Sequence, residues 1–183
     1  MVKSIVIVGG SSDIAKSTIS SISTENYKFH ALVRDDSHTD ELSDLGVNVI
    51  LGDATSEEDI KNFISGVKES GEIHAILHCV GSFAVRPPHA MNKEAFEAVI
   101  STNLTSAFLT LSIAGKAMLS QGHGRMVFMS SVAGSLGLVN HEAISAAKGG
   151  IESMVRSAAA TYANRGLRIN AVAPGLTDTK LAS

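Results

Sequence analysis

The residue types in this sequence best suited to chemistry are two serines at the end of an apolar run and a lysine in the helical stretch that follows. Met126 to Met129 reads as a buried strand closed by Ser130 and Ser131, and a glycine-containing loop leads to a helix over about 140–163 with Lys148 in its first turns. Ligands in open α/β sheets bind outside the carboxyl ends of strands. A hydroxyl leaving a strand end and a lysine on the facing helix therefore form a candidate catalytic pair. A second such place is Gly9-Gly10-Ser11-Ser12-Asp13-Ile14-Ala15, between the β-branched run 4–8 and the helical stretch 14–22. Ser11, Ser12 and Asp13 are all helix-capping types. The free N–H groups and positive dipole end of such a helix suit a phosphate. The same turn also reads as a capped helix start that holds no ligand.

The rest of the chain supplies elements to carry these sites. Residues 27–33, 47–51, 73–80 and 167–173 read as further strands, each ending near a Gly, Pro or Asp. Residues 41–45 read as a short helix, and Thr55-Ser56-Glu57-Glu58 as a capping-box-like start of a helix reaching about residue 68. Arg86-Pro87-Pro88 must be loop, and 92–119 is helical with a break near Thr102-Asn103. Strands alternating with helices at this spacing predict an α/β class, doubly wound parallel sheet in one domain, 1–183, of Rossmann-like dinucleotide-binding architecture.

Bulk composition narrows the function. With 183 residues, 44% hydrophobic and 18% charged, the chain can bury the core of one domain. Net charge is −3 with no Lys/Arg block, so nothing marks a nucleic-acid partner. Cys79 is the sole cysteine, which excludes an internal disulfide. The apolar run after Met1-Val2-Lys3 is short for a signal-peptide core, and no stretch approaches the roughly 18 apolar residues of a membrane span. A cytoplasmic protein without a membrane partner is expected. His78, in the strand 73–80, reads as satisfied by its neighbours, with no second group spaced for a metal.

On Gly9, Asp53, Gly81, Asn103, Ser131, Lys148 and Pro174-Gly175, in that order, the sequence resembles the short-chain dehydrogenase/reductase family over essentially its whole length. The resemblance implies that Gly9, Ser11, Ser12, Asp13 and Ile14 form the cofactor phosphate loop. Asp13 stands where the family has its second glycine and Ala15 where it has the third. A carboxylate at Asp13 would repel a pyrophosphate if it pointed inward. Val33 stands where NAD-preferring relatives carry an acid, and Arg34 follows, which points to NADP(H), with NAD second because Asp35 and Asp36 come next. Asp53 and Ala54 would meet the adenine, though Asp53 also reads as a turn or cap residue. Gly81 would admit the cofactor close to the backbone.

The resemblance further assigns catalysis to Asn103, Ser131 (with Ser130 as neighbour) and Lys148, which would also hold the nicotinamide ribose. The family's proton-donating tyrosine falls at Ile144, which has no proton to give. His141 and Glu142, at the start of the same helix, are the nearby groups able to substitute. Pro174, Gly175, Thr177 and Thr179 would cover the nicotinamide carboxamide. Relatives continue into a substrate-covering segment and a last strand, whereas this sequence ends at Ser183, so both are expected to be lacking. The implied activity is hydride transfer between NADP(H) and a small carbonyl or alcohol, with ordinary turnover not expected. The alternatives are a non-catalytic dinucleotide-binding or cofactor-sensing protein, and a relic that binds nothing. A homodimer or homotetramer is implied by the family's helix pairing.

Overall fold

The computed structural model describes residues 3–22 and 25–181. Within them, apolar runs form six strands: β1 (Lys3–Val8), β2 (Tyr27–Val33), β3 (Val47–Leu51), β4 (Ile73–His78), β5 (Gly124–Met129) and β6 (Leu167–Val172). All pair in parallel, in the order β3-β2-β1-β4-β5-β6. The interior strand β1 is apolar on both faces, with Val6, Ile7 and Val8 fully buried. That is what a parallel sheet covered on both sides requires. One face packs Ile60, Phe63, Leu111, Met118 and Ile151 against Val6, Val8 and Phe128. The other packs Ala15, Ile19 and Leu42 against Ile5, Ile7 and Phe29.

The helices are α1 (Asp13–Ser21), α2 (Thr39–Asp44), α3 (Glu57–Glu69), α4 (Lys93–Ile100), α5 (Ser106–Gln121) and α6 (Glu142–Tyr162). Side chains of Ser12, Ser56 and Asn92 accept from the third backbone N–H beyond them at the starts of α1, α3 and α4. The break expected near Thr102-Asn103 is a π-helical turn, Ser101–Thr105, joining α4 to α5 in one continuous helix. Strand β4 ends at His78, short of the expected Val80, although Cys79 N–H still donates to Val8 O at 2.8 Å. Beyond it the chain leaves the sheet to reach Asn103.

The expectation that no stretch is apolar enough for a membrane needs correction. The continuous helix Lys93–Gln121 passes by length and composition, with a hydropathy of 1.4 over its best window. Its residues Ala107, Leu111, Ala114 and Met118 are spent on the sheet, so its apolarity is that of a core helix.

The strand order reverses between β1 and β4, because the chain runs outward to β3 and then returns to the other side of β1. At such a switch point the loops leaving neighbouring strands diverge and open a crevice.

Candidate active site

A cavity of about 880 Å³ occupies that crevice. Its walls come from the loops after all six strands, so residues scattered over the sequence meet there. Gly9, Ser11, Ser12, Asp13, Ile14, Arg34, Asp53, Ala54, Gly81, Ser131, Lys148, Pro174, Gly175, Thr177 and Thr179 all line it. Asn103 does not. It is fully buried in the π-helical turn, where the resemblance implies an asparagine that anchors a water beside the lysine rather than one that touches the ligand. Its Nδ2 donates to Ser82 Oγ (2.8 Å) and to Val99 O (2.9 Å), and its Oδ1 accepts from Ser82 N (3.2 Å). It thereby shapes the loop at Gly81, where an added Cβ would lie 3.4 Å from Asn103 Oδ1 and 3.6 Å from Lys148 Nζ.

At one end, Gly9 turns the chain from β1 into α1. Its φ is +86°, and a Cβ there would lie 2.8 Å from Val80 N, so this turn demands glycine on both counts. Ser12 caps α1 by accepting from Ala15 N at 3.1 Å. Asp13 Oδ2 accepts from Lys180 N at 2.7 Å and Oδ1 lies 3.5 Å from Lys16 Nζ. The Lys180 N–H, with Lys16 adding, holds the Asp13 carboxyl below its usual range. Its charge is thus shared with the segment after β6 and with α1's own lysine. Arg34 is highly exposed at the rim, 4.0 Å from Asp35. Asp53 Oδ1 accepts from Thr55 N and Thr55 Oγ1, both at 2.8 Å, so it makes the turn that the sequence allowed while still lining the cavity.

At the other end, Lys148 is 7% exposed and its Nζ donates to Met129 O at 2.9 Å. Burial lowers its pKa from 10.5 to about 8. One of its three donors is used by Met129, and the residue lines the cavity, as Ser131 does. Ser131 Oγ accepts from Ala133 N at 3.2 Å, which leaves its hydroxyl proton to give. Ser130 instead turns into α6, where its Oγ reaches Lys148 O (3.1 Å) and Glu152 Oε1 (2.9 Å). Both serines line the cavity, and Ser131 is the one whose proton is not spent on α6.

Glu152 is a residue that sequence reasoning missed. It also accepts from Ser135 Oγ at 3.4 Å and so fastens the loop after β5 to α6. Gly134 and Gly149 permit the close approach, since a Cβ on Gly134 would lie 2.9 Å from Gly149 N. Ser82 was missed as well, and no spacing signal marks either residue.

Ile144 lines the cavity one turn before Lys148 and packs with Val99, Ala133, Ala143 and Ala147. His141 also lines it, whereas Glu142 does not. His78 is fully buried beneath. Ser106 Oγ donates to Thr102 O (2.6 Å), so His78 Nε2 must donate to that hydroxyl (3.0 Å). Its Nδ1 has no partner, so the expected satisfaction is half met. Burial first and Lys148 second push its pKa down to about 3 and keep it neutral. Among the described residues no group of three or more His, Cys, Asp or Glu could hold a metal.

The Lys148 shift has a testable consequence. Between pH 8 and 10.5 the unfolded lysine holds a proton that the folded one has released, so this residue adds stability as pH rises through that window. Relative to Lys148→Met, the parent should gain on the order of 2 kcal/mol across it. Denaturant titrations of both proteins at the two limits check the sign, and parallel curves would refute it.

The arrangement fits a dinucleotide. A helix N-terminus and a glycine turn stand ready for phosphate, and a buried ammonium with a serine hydroxyl stands at the far end of the same cavity.

Known proteins agree with this geometry. The family profile described as short chain dehydrogenase matches residues 3–183. Cis-4-hydroxycyclohexanecarboxylate dehydrogenase of Sinomonas cyclohexanicum is 35% identical over 133 residues, 72% of this chain and 53% of that protein. Levodione reductase of Leifsonia aquatica is 30% identical, over 93% of this chain and 68% of that one. The chain thus spans about half the length of the first and about two thirds of the second. A crystal structure of levodione reductase superposes with a TM-score of 0.93 at 26% identity, covering 98% of this chain and 74% of that one. An actinorhodin polyketide ketoreductase with NADPH gives 0.92 at 25%, covering 99% and 73%. The chain belongs to the short-chain dehydrogenase family of oxidoreductases.

Proposed function

We propose that this chain binds NADP(H) along the carboxyl edge of its sheet and transfers a hydride between it and a small carbonyl or alcohol, slowly. The observation that carries this reading is one cavity lined together by Arg34, the Gly9 turn, Ser131 and Lys148. The glycine turn and α1 would take the pyrophosphate. Arg34 would pair with a 2′-phosphate, as a guanidinium suits that anion. Lys148 would donate to the nicotinamide ribose, and Ser131 would donate to the substrate oxygen. Bound there, the dinucleotide supplies the hydride. The ketoreductase seen with NADPH and the two relatives named as a dehydrogenase and a reductase support the assignment. Slowness follows from Ile144, which by resemblance stands at the family's tyrosine and is apolar. Phe96 and Phe108, 41% and 57% exposed on α4 and α5, support a homo-oligomer as part of the same reading.

A second reading, a cofactor-binding protein without turnover, draws on Ile144 being 4% exposed within an apolar cluster. Both readings require binding. Titration with NADPH and NADH, followed by calorimetry, should show NADPH binding the tighter. Lys148→Ala should weaken it by about 10- to 100-fold, the loss of a hydrogen bond from a charged donor. Arg34→Ala should narrow the gap between the two nucleotides. Failure of the parent to bind either one removes both readings.

A further inference from the structure

The proposed reaction needs a proton for the substrate oxygen, and Ile144 has none. Resting on that reading, we infer that His141 supplies it. His141 lines the same cavity as Ser131, Ile144 and Lys148. It precedes Ile144 by three residues, about one turn or roughly 4.5 Å of rise along the helix. Its ring is held in place. Nδ1 donates to Val139 O at 2.7 Å, which leaves Nε2 as the ring nitrogen for the transferred proton. Phe83 meets the ring edge-on, with centroids 6.1 Å apart at 78°. The turn before it is fixed by Arg86 N donating to Asn140 O at 2.8 Å. Asn140 itself is the one described non-glycine residue with positive φ, at 61°. Strained backbone of this kind persists where surrounding contacts impose it, and it clusters at functional sites.

The rival donors are worse placed. Lys148 spends a donor on Met129 O, and its ammonium is assigned to the ribose. Ser131 is an alcohol, and its proton is far too tightly held to be a net acid. Glu142 lies along a separate small cleft with Arg86, Met91 and Lys93. The charged residues next to the histidine along the chain and its hydrogen-bonded loop are Glu142, which follows it, and Arg86, whose backbone N–H meets Asn140 O.

In the step, the carbonyl carbon accepts a hydride from the reduced dinucleotide together with its electron pair. The π pair of the C=O bond moves to oxygen, and oxygen takes the proton from Nε2 of the imidazolium. An alcohol and the oxidised dinucleotide result. Neutral His141 then recovers a proton from water at the open mouth of the cavity.

The test follows NADPH consumption with ethyl acetoacetate and 9,10-phenanthrenequinone as carbonyl probes, from roughly pH 5.5 to 9, a range spanning imidazole titration. The parent should reduce a probe at a rate that falls as pH rises. His141→Gln, which keeps a donor for Val139 O, should lose about tenfold or more in kcat and lose the part of that limb below pH 8, where Lys148 keeps its proton, with NADPH affinity unchanged. A readout independent of turnover is the His141 ring proton resonance, identified by its absence in His141→Gln. It should move when ethyl 3-hydroxybutyrate is added to the protein saturated with NADP⁺. The inference is overturned if His141→Gln keeps the rate and the limb. It is equally overturned if the parent binds NADPH yet reduces neither probe and the resonance stays still. Absence of NADPH binding would overturn the earlier reading too, and the titration reports that separately.

Discussion

Ile144→Tyr is expected to raise NADPH-dependent carbonyl reduction by on the order of 10²-fold, since a positioned general acid contributes roughly 10²–10⁴. Three features support the gain. Ile144 borders the cavity, so a longer side chain has space to extend into. It stands four residues before Lys148, hence on the same helix face. The Lys148 cation would then lower the phenol's pKa and ready it to give its proton. The cost is packing: the aromatic ring replaces a branched aliphatic among Val99, Ala133 and Ala147, worth about 1–3 kcal/mol of destabilisation. Initial rates of parent and variant with the same probes, beside thermal melts, separate the two effects. A folded variant that binds NADPH and shows no gain would sink the tyrosine argument. A gain that survives in the Ile144→Tyr, His141→Gln double variant would show the phenol acting by itself.

Gly9→Ala should be the most damaging single-methyl change at the site. Its φ of +86° costs an L-residue about 1–2 kcal/mol. The new Cβ would also stand 2.8 Å from Val80 N and 3.0 Å from Cys79 C, both backbone, where relief requires β1 and the β4 loop to part. Overpacking of this kind adds about 1–3 kcal/mol. At roughly 2–4 °C per kcal/mol for a domain of this size, the melting point should fall by about 5–15 °C. The same parting moves the N–H groups that would cradle phosphate, so NADPH binding should be lost as well. Gly137→Ala, with nothing within 4 Å and an ordinary φ, is the matched control and should melt with the parent. Equal melting points for the two variants would contradict the packing argument.

What could be read from the sequence was what local chemistry dictates. Runs such as Ser4 to Val8 and Val47 to Leu51 announce strands because β-branched side chains in sequence suit a sheet covered on both faces. The glycine turn, the Ser56 cap and the Lys148 site follow from single residues in context. The break near Asn103 was visible, but its form was not, because whether a helix widens or stops depends on what Asn103 finds across the gap, namely Ser82. Partners far apart in sequence were illegible for the same reason. Asp13 threatened the phosphate loop on paper, and nothing local foretells that its carboxylate meets Lys180, whose amide lies on the far side of the sequence. Glu152 looks like any solvated helix glutamate until Ser130 and Ser135 are brought against it.

The π-helical turn at Ser101–Thr105 has a consequence for what changes this protein can tolerate. Each residue of a regular helix advances the side-chain direction by about 100°, and a π turn inserts one residue beyond the α-helical count. Everything in α5 is therefore set out of phase with α4 by that one residue. The offset is what lets Asn103 point back to Ser82 while Ala107, Leu111, Ala114 and Met118 still face the sheet. Removing one residue between Ser101 and Thr105 would restore an even helix and rotate one of these faces away. Lineages should reject any change in the length of this segment, and a deletion scan across α4 and α5 would show a sharp minimum of tolerance there.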